Sequence, residues 1–306
     1  MEAHSTQDAD RSKVSVITPS LNHGNFLREN IEAVLHQTYK KVEHVIVDGR
    51  STDDTISILK EYPHLKWISE KEEGDNGVLD AIWKAFYLSD GEYIVLSCVS
   101  DSLKDGDWFE KAVEILDRDE EVSHVWGLSQ NISEEGLPGK LWHAEFLEQS
   151  PPQKKDFLPF WLATTEAVEC NAVFRRAIFE TYYTRNTPDE PYRFAPSMGF
   201  NYHLNAQGYL PYFLPIITYF GRMHKDQRGL KYADVIGQGA DIYYRELSRY
   251  KQDLLSGKRR HLFRNGHSQI IGELQPSDLA GYRKRIMMYR IKYSLKRKFE
   301  RIFYRL

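Results

Sequence analysis

Val14-Ser-Val-Ile17 running into Thr18-Pro19-Ser20, Val45-Ile-Val47 running into Asp48-Gly49, and Tyr93-Ile-Val-Leu96 running on to Ser100-Asp101 decide the reading of this chain. Each is a short apolar, β-prone run that ends in polar or acidic residues. Helical segments separate them, which predicts parallel strands joined by crossover helices. In such sheets ligands bind beyond the carboxyl ends of the strands, so the residues at those ends are the first candidates for a site.

Around this centre the pattern reads in order. Phe26–His36 is expected as a helix, with Asn25 as its cap and Ile31, Val34 and Leu35 on the sheet. A second helix follows near Asp54–Glu61, a short strand at Lys66–Ser69, and a third helix at Leu79–Leu88. The first turn holds neither G-x-G-x-x-G nor G-x-x-x-x-G-K-[ST], which argues against a Rossmann dinucleotide site or a P-loop.

The chain has 306 residues, 41% of them hydrophobic, and two cysteines, Cys98 and Cys170. No disulfide framework is implied, and a reducing, cytoplasmic setting is expected. Residues 1–13 are polar and read as disordered, without the apolar core of a signal peptide. No apolar run is long enough to span a bilayer. The net charge of −3 hides an asymmetry: Arg283 to Leu306 carries ten Lys/Arg against one Glu, a local +9 that leaves −12 on the rest. Arg290–Leu306 puts Ile291, Leu295, Phe299 and Ile302 on one helical face with basic residues largely elsewhere. Two readings stay open for it: an anchor on an anionic membrane surface, or a helix packed on the domain or a partner subunit.

The candidate site residues also carry two readings each. Asp48 could accept hydrogen bonds from a base or ribose, or it could cap the next helix together with Ser51. Glu70, Asp75 and Asp80 could converge on a ligand or form a solvated face. Asp101, just past a buried strand, suits a hard divalent cation or a turn.

Several ordered motifs resemble family-2 glycosyltransferases of GT-A fold. The opening Val14-Ser-Val-Ile-Thr-Pro-Ser-Leu-Asn22, then Leu35-His-Gln-Thr-Tyr39, Val42–Gly49 and Ser51-Thr-Asp-Asp-Thr55 follow that family's spacing, as do Ser69-Glu70, Asp75-Asn-Gly77 and Asp80-Ala-Ile-Trp-Lys84. The resemblance is strong over residues 14–106 and weak over 165–228. It implies an α/β GT-A nucleotide-diphospho-sugar transferase fold. A mixed, mostly parallel sheet flanked by helices would occupy residues 14–230, with a helical basic extension at 231–306. It implies an inverting transfer from a nucleotide-activated sugar, most readily a UDP-sugar, to a hydroxyl of a glycan or lipid-linked acceptor in surface polysaccharide synthesis. Nucleic acid is not an expected partner; a homo-oligomer and peripheral contact with the inner face of the cell membrane through Arg283–Leu306 are.

By the same resemblance, the nucleotide site comprises Thr18, Pro19, Ser20, Asn22, Asp48, Gly49, Ser51, Asp75, Gly77, Asp80, Lys84 and Ser100. Asp48 would contact the base. Asp101 would hold Mn²⁺ or Mg²⁺ on the diphosphate, where the metal acts as a Lewis acid. His224 would be a metal or phosphate contact, or alternatively structural. Four departures stand out: Ser100 replaces the first Asp of the metal pair, Trp83 replaces Asn, Glu73-Gly74 is an insertion, and Arg50 replaces Gly. A fifth is chemical. The family's general base falls on Ser197, which is too weakly basic, so Glu190 or Asp189 is expected to stand in. The serines also motivate a second function: a sugar-nucleotide-binding partner subunit without transferase activity. A nucleotidyltransferase fits less well, since the Gly-rich, basic first loop of those enzymes is missing.

Overall fold

The computed structural model describes residues 12–73, 76–142, 161–163, 172–256, 258–259, 263–264, 267–270 and 276–303. Strand β1 (Val14–Ser20) is buried on both faces, as its near-continuous apolar run requires. Helix α1 (Gly24–Leu35) leads to β2 (Val42–Asp48), α2 (Thr55–Glu61), β3 (Lys66–Ser69), α3 (Gly77–Leu88) and β4 (Tyr93–Leu96). These four strands are parallel in the order β3-β2-β1-β4. The crossover units read from the sequence are therefore present.

The second half is mixed. It runs through β5 (Ser102–Leu103), α4 (Trp108–Arg118), β6 (Val122–Ile132), β7 (Pro138–Trp142), β8 (Val173–Arg175), α5 (Arg176–Tyr182), α6 (Pro196–Ala206) and β9 (Leu210–Arg222). Strand β8 joins the two halves, antiparallel to both β4 and β6, while β9 runs parallel to β6 and antiparallel to β5. Helices α7 (Arg228–Lys231) and α8 (Ala233–Leu255), a short hairpin of β10 (Phe263–Arg264) and β11 (His267–Ile270), and α9 (Pro276–Phe303) follow.

Alternation along the strands fills two layers. Ile17, Val45, Val47, Ile94 and Leu96 point to α3 and the second-half helices, in a core that also holds Tyr243, Leu247, Tyr250 and Leu254 of α8. The C-terminal helices thus share a core with the sheet. On the other face, Val14, Val16, Tyr93 and Val95 meet Trp108, Phe109 and Leu116 of α4, and Ile46 meets α1 and α2. Leu35 departs from expectation. It is 47% exposed, because the buried stripe of α1 runs through Phe26, Leu27, Asn30, Ile31 and Val34. Asn25 does not cap α1 either: the helix starts at Gly24, whose N–H donates to Asp53 Oδ2 at 2.9 Å. A Cβ at Gly24 would fall on the Asp54 carboxylate, so this close approach requires glycine.

Arg175 and Arg176 lock the junction. Arg175 Nη2 donates to the Leu116 and Asp119 carbonyls at 2.7 and 2.9 Å, and Arg176 Nη2 to those of Phe86 and Ser89 at 2.9 and 2.6 Å. Two helix C-termini with orphan carbonyls are satisfied by one dipeptide.

Candidate functional site

A cleft of about 570 Å³ opens beyond the carboxyl ends of the parallel strands. The end of β1 and the loop after it supply one wall with Pro19, Ser20, Asn22 and His23. The start of α3 supplies a second with Glu72, Asn76 and Gly77. Arg228, Lys231 and Tyr232 close it from the C-terminal side, and Phe194 reaches in from the turn before α6.

The first wall is a braced turn. Asn22 takes a left-handed conformation, φ 54°, and its Oδ1 accepts the Thr52 N–H at 2.8 Å. Its own N–H donates to Ser51 Oγ at 2.7 Å. Arg50 is also left-handed, φ 63°, where the family pattern has glycine. Thr18 lies deeper: it is fully buried and its hydroxyl pairs with His44 Nε2 at 2.9 Å, away from the cleft wall.

Asp48 is the structural centre of the acidic side rather than its surface. It has 0% exposure. Ser51 donates its N–H to Oδ2 at 3.1 Å and its hydroxyl to Oδ1, and Ser69 donates its hydroxyl to Oδ2 at 2.6 Å. Gly49 turns beside it, its N–H on the Ser20 carbonyl at 2.8 Å. The carboxylate therefore ties β2 to β3 and to its own turn.

Asp80, in the first turn of α3, accepts the Glu73 N–H at 2.9 Å and pairs with Lys84 Nζ at 3.1 Å. Lys84 also reaches Glu70 at 3.4 Å, and the hydrogen bond to Asp80 holds its pKa above the ordinary value. Glu72 lies between Gly49 and Gly77. Burial, then the charges of Asp80 and Asp48, push its carboxyl pKa upward against the pull of Lys84. Three carboxylates thus converge, one of them hidden in the sequence by its charged neighbours. Asp75 lies outside the described residues.

Asp101 follows the most apolar strand. Its Oδ1 accepts the Arg222 N–H at 3.1 Å, which joins β4's tip to the end of β9. Arg222 itself is buried, and its Nη2 alone donates to both carboxylate oxygens of Glu29 of α1 at 2.7 and 2.6 Å. One buried amide sets this loop: Asn30 Nδ2 donates to Ser97 Oγ at 2.9 Å and to the Cys98 and Asp101 carbonyls at 3.0 Å. Ser100 is half-buried beside Asp101. His224 is buried, with its ring 5.0 Å from Phe26 and 5.9 Å, edge-on, from His23. Burial and the neighbouring His224 hold the His23 pKa below its usual value. Among the described residues no three His, Cys, Asp or Glu gather as a metal cage. Asp101 is not part of the cleft lining and its carboxylate already accepts the Arg222 N–H; a cation held there would draw its remaining ligands from phosphates and water.

The turn before α6 holds the expected bases. Asp189 is exposed, and Glu190 Oε1 accepts the Tyr192 N–H at 3.1 Å. Neither borders the cleft, whose wall takes Phe194 from this turn. Ser197 is half-buried in the first turn of α6. Trp83 braces this segment: its indole N–H donates to the Thr184 carbonyl at 2.9 Å and Arg185 stacks 3.5 Å over its ring. Asn76 does likewise, giving its Nδ2 to the Arg193 carbonyl while its Oδ1 accepts Arg228 at 3.1 Å.

A sequence model for glycosyl transferase family 2 matches residues 15–183. Chondroitin synthase of Escherichia coli is 28% identical over 130 residues, 40% of this chain and 18% of that protein. The chain covers less than half the length of the first curated relatives it matches. Two solved structures share its GT-A fold. S. aureus TarS 1–349 with UDP-GlcNAc has a TM-score of 0.52 at 18% identity, covering 70% of this chain and 60% of that one. The mannosyltransferase PcManGT of Pyrobaculum calidifontis with GDP-Man and Mn²⁺ has a TM-score of 0.50 at 19% identity, covering 78% and 70%.

Proposed function

Because the chain belongs to glycosyl transferase family 2, we propose that it moves a sugar from a nucleoside diphosphate sugar to a hydroxyl of a glycan or lipid-linked acceptor. One observation carries this reading. The cleft beyond the strands' carboxyl ends carries Glu72 beside the start of α3, and Arg228 and Lys231, together with Asp226, from the C-terminal segment, which offers an acceptor for a base and cations for a diphosphate. Pro19, Ser20, Asn22 and Gly77 form the nucleoside wall, while Asp48, Gly49, Ser51, Asp80 and Lys84 fix its backbone. Arg228 offers a forked donor to phosphate oxygens. The uridine nucleotide bound to TarS supports a UDP-sugar, and the GDP-Man bound to PcManGT makes guanosine the alternative.

In the transfer the acceptor oxygen attacks the anomeric carbon while the bond to the diphosphate oxygen breaks in line, inverting the centre. Glu190, or Asp189, would take the acceptor proton. Asp101, with His224 two residues beyond the Arg222 whose N–H it accepts, would hold Mn²⁺ or Mg²⁺, and such a cation would neutralise charge on the leaving diphosphate.

A panel of UDP-, dTDP- and GDP-sugars, assayed for nucleotide release with and without Mn²⁺, tests this; no release from any donor counts against it. Ser100, Ser197 and the distance of Asp189 and Glu190 from the cleft wall favour a second reading, a binding subunit without transfer. UDP binding without release from any donor would select that second reading.

No helix among the described residues is long and apolar enough to cross a membrane. Helix α9 exposes Met287, Met288, Ile291 and Leu295 within its basic sequence, and we infer peripheral contact with an anionic membrane there. Deleting residues 283–306 should abolish co-sedimentation with anionic vesicles; unchanged sedimentation would exclude the contact.

A further inference from the structure

Beside the start of α3 the cleft presents a different carboxylate from the one the family pattern points to. Asp48 has no exposed surface, and its oxygens already accept three donors from Ser51 and Ser69. Two carboxylates border the cleft, Glu72 and Asp226; Asp226 is exposed in the C-terminal segment, whereas Glu72 is half-buried beside Asp48's turn. Among the described residues Glu72 has no hydrogen-bond or ion-pair partner. Two glycines make its place: a Cβ at Gly49 would lie 2.9 Å from its Oε1, and one at Gly77 closer still to Oε2.

Ser20 gives an independent sign of a ligand. It is 2% exposed, it borders the same cleft, and among the described residues its hydroxyl has no hydrogen-bond partner. Buried hydroxyls are normally hydrogen-bonded, so this one awaits a group from outside the chain. An unpaired acceptor and an unpaired donor on the walls of one cleft match a base edge that carries an N–H next to a carbonyl.

We propose that Glu72 is the specificity-determining residue of this cleft, accepting the ring N–H of uracil or guanine while the Ser20 hydroxyl donates to the adjacent base carbonyl. Uracil N3–H lies between two carbonyls, and guanine N1–H lies beside O6. Cytosine N3 and adenine N1 present a lone pair at the same position, which a carboxylate repels. The site therefore selects lactam bases and rejects their amino counterparts. This rests on the cleft being a nucleotide site.

Calorimetry on the full chain with UDP, CDP, GDP and ADP tests it. The unsubstituted chain is expected to bind UDP over CDP, or GDP over ADP, by about tenfold to a hundredfold, the range of one charge-assisted hydrogen bond. Glu72→Gln keeps the shape and can donate as well as accept, so it should shrink that ratio to within about threefold. Glu72→Ala, checked by thermal unfolding to be folded, should do the same. A ratio unchanged in both folded variants overturns the assignment, as does Asp48→Asn erasing the ratio while Glu72→Gln retains it. Failure of the unsubstituted chain to bind any of the four nucleotides overturns the nucleotide reading itself, and this inference with it.

Discussion

Removing Arg228 separates affinity from stability. The guanidinium lines the cleft, and burial holds its pKa below the ordinary arginine value. Its neighbours are Asn76 Oδ1 at 3.1 Å and the Tyr232 ring, with its centroid 5.8 Å away; among the described residues no carboxylate pairs with it. A desolvated cation without a counter-charge does little for the folded state. Arg228→Ala should therefore change the free energy of urea unfolding by no more than about 1 kcal/mol, mainly lost packing of the stem and the unpaired Asn76 amide oxygen. Phosphate oxygens would supply the missing partner. Losing that charge-assisted hydrogen bonding costs about 1.5–3 kcal/mol, or roughly 10- to 150-fold in the Kd for UDP. Uridine, which has no phosphates, should lose less than about twofold, since it forfeits none of these bonds. Arg228→Lys keeps the charge and loses the fork, so it should fall between. Calorimetry with both ligands decides the matter. Equal weakening of UDP and uridine, or no weakening of UDP, would remove the diphosphate from this wall.

Asp101→Ala should abolish metal-stimulated donor turnover and cost about 1–2 kcal/mol of stability, because the Arg222 N–H loses its acceptor; full turnover in the variant would take Asp101 out of the site. Arg50→Gly should stabilise the fold by roughly 0.5–1 kcal/mol, since the left-handed strain exceeds glycine's added unfolded-state entropy, and a lower midpoint in urea would contradict this. Acid should weaken the protein well above carboxylate pKa values. Burial pushes the pKa of both His44 and His124 down to about 3 from 6.5, so the unfolded chain binds protons first as pH falls below 6.5. Between pH 7 and 5 that removes about 2 kcal/mol per histidine, and a flat stability over this range would refute it.

The parallel half of the sheet was legible because its signals are local. Each strand holds a short β-prone apolar stretch, and each turn carries its own polar residues. Lys66–Ser69 and Tyr93–Leu96 fall where the pattern put them. What stayed hidden depends on distant partners. Nothing near Asn30 announces that its amide holds residues 97–101, and its position simply reads as a polar interruption of an apolar stripe. The saturation of Asp48 depends on Ser69, a full crossover away. Glu72 was lost in a run of charged residues, and only the two glycines beside it distinguish it from Glu70 and Glu73. The turn around Glu190 gave residue types without placement, because its position is set by Trp83 and Asn76 on another helix.

Asn76 has a practical consequence for recombination. Its side chain joins the start of α3, the turn that carries Glu190, and the first residue of α7. Chimaeras between family members are most naturally cut between the two halves of the sheet. Any such crossover would splice an asparagine from one parent onto a carbonyl and an arginine from another. Donor and acceptor preferences in this scaffold are therefore poor candidates for independent exchange unless that three-way junction travels intact.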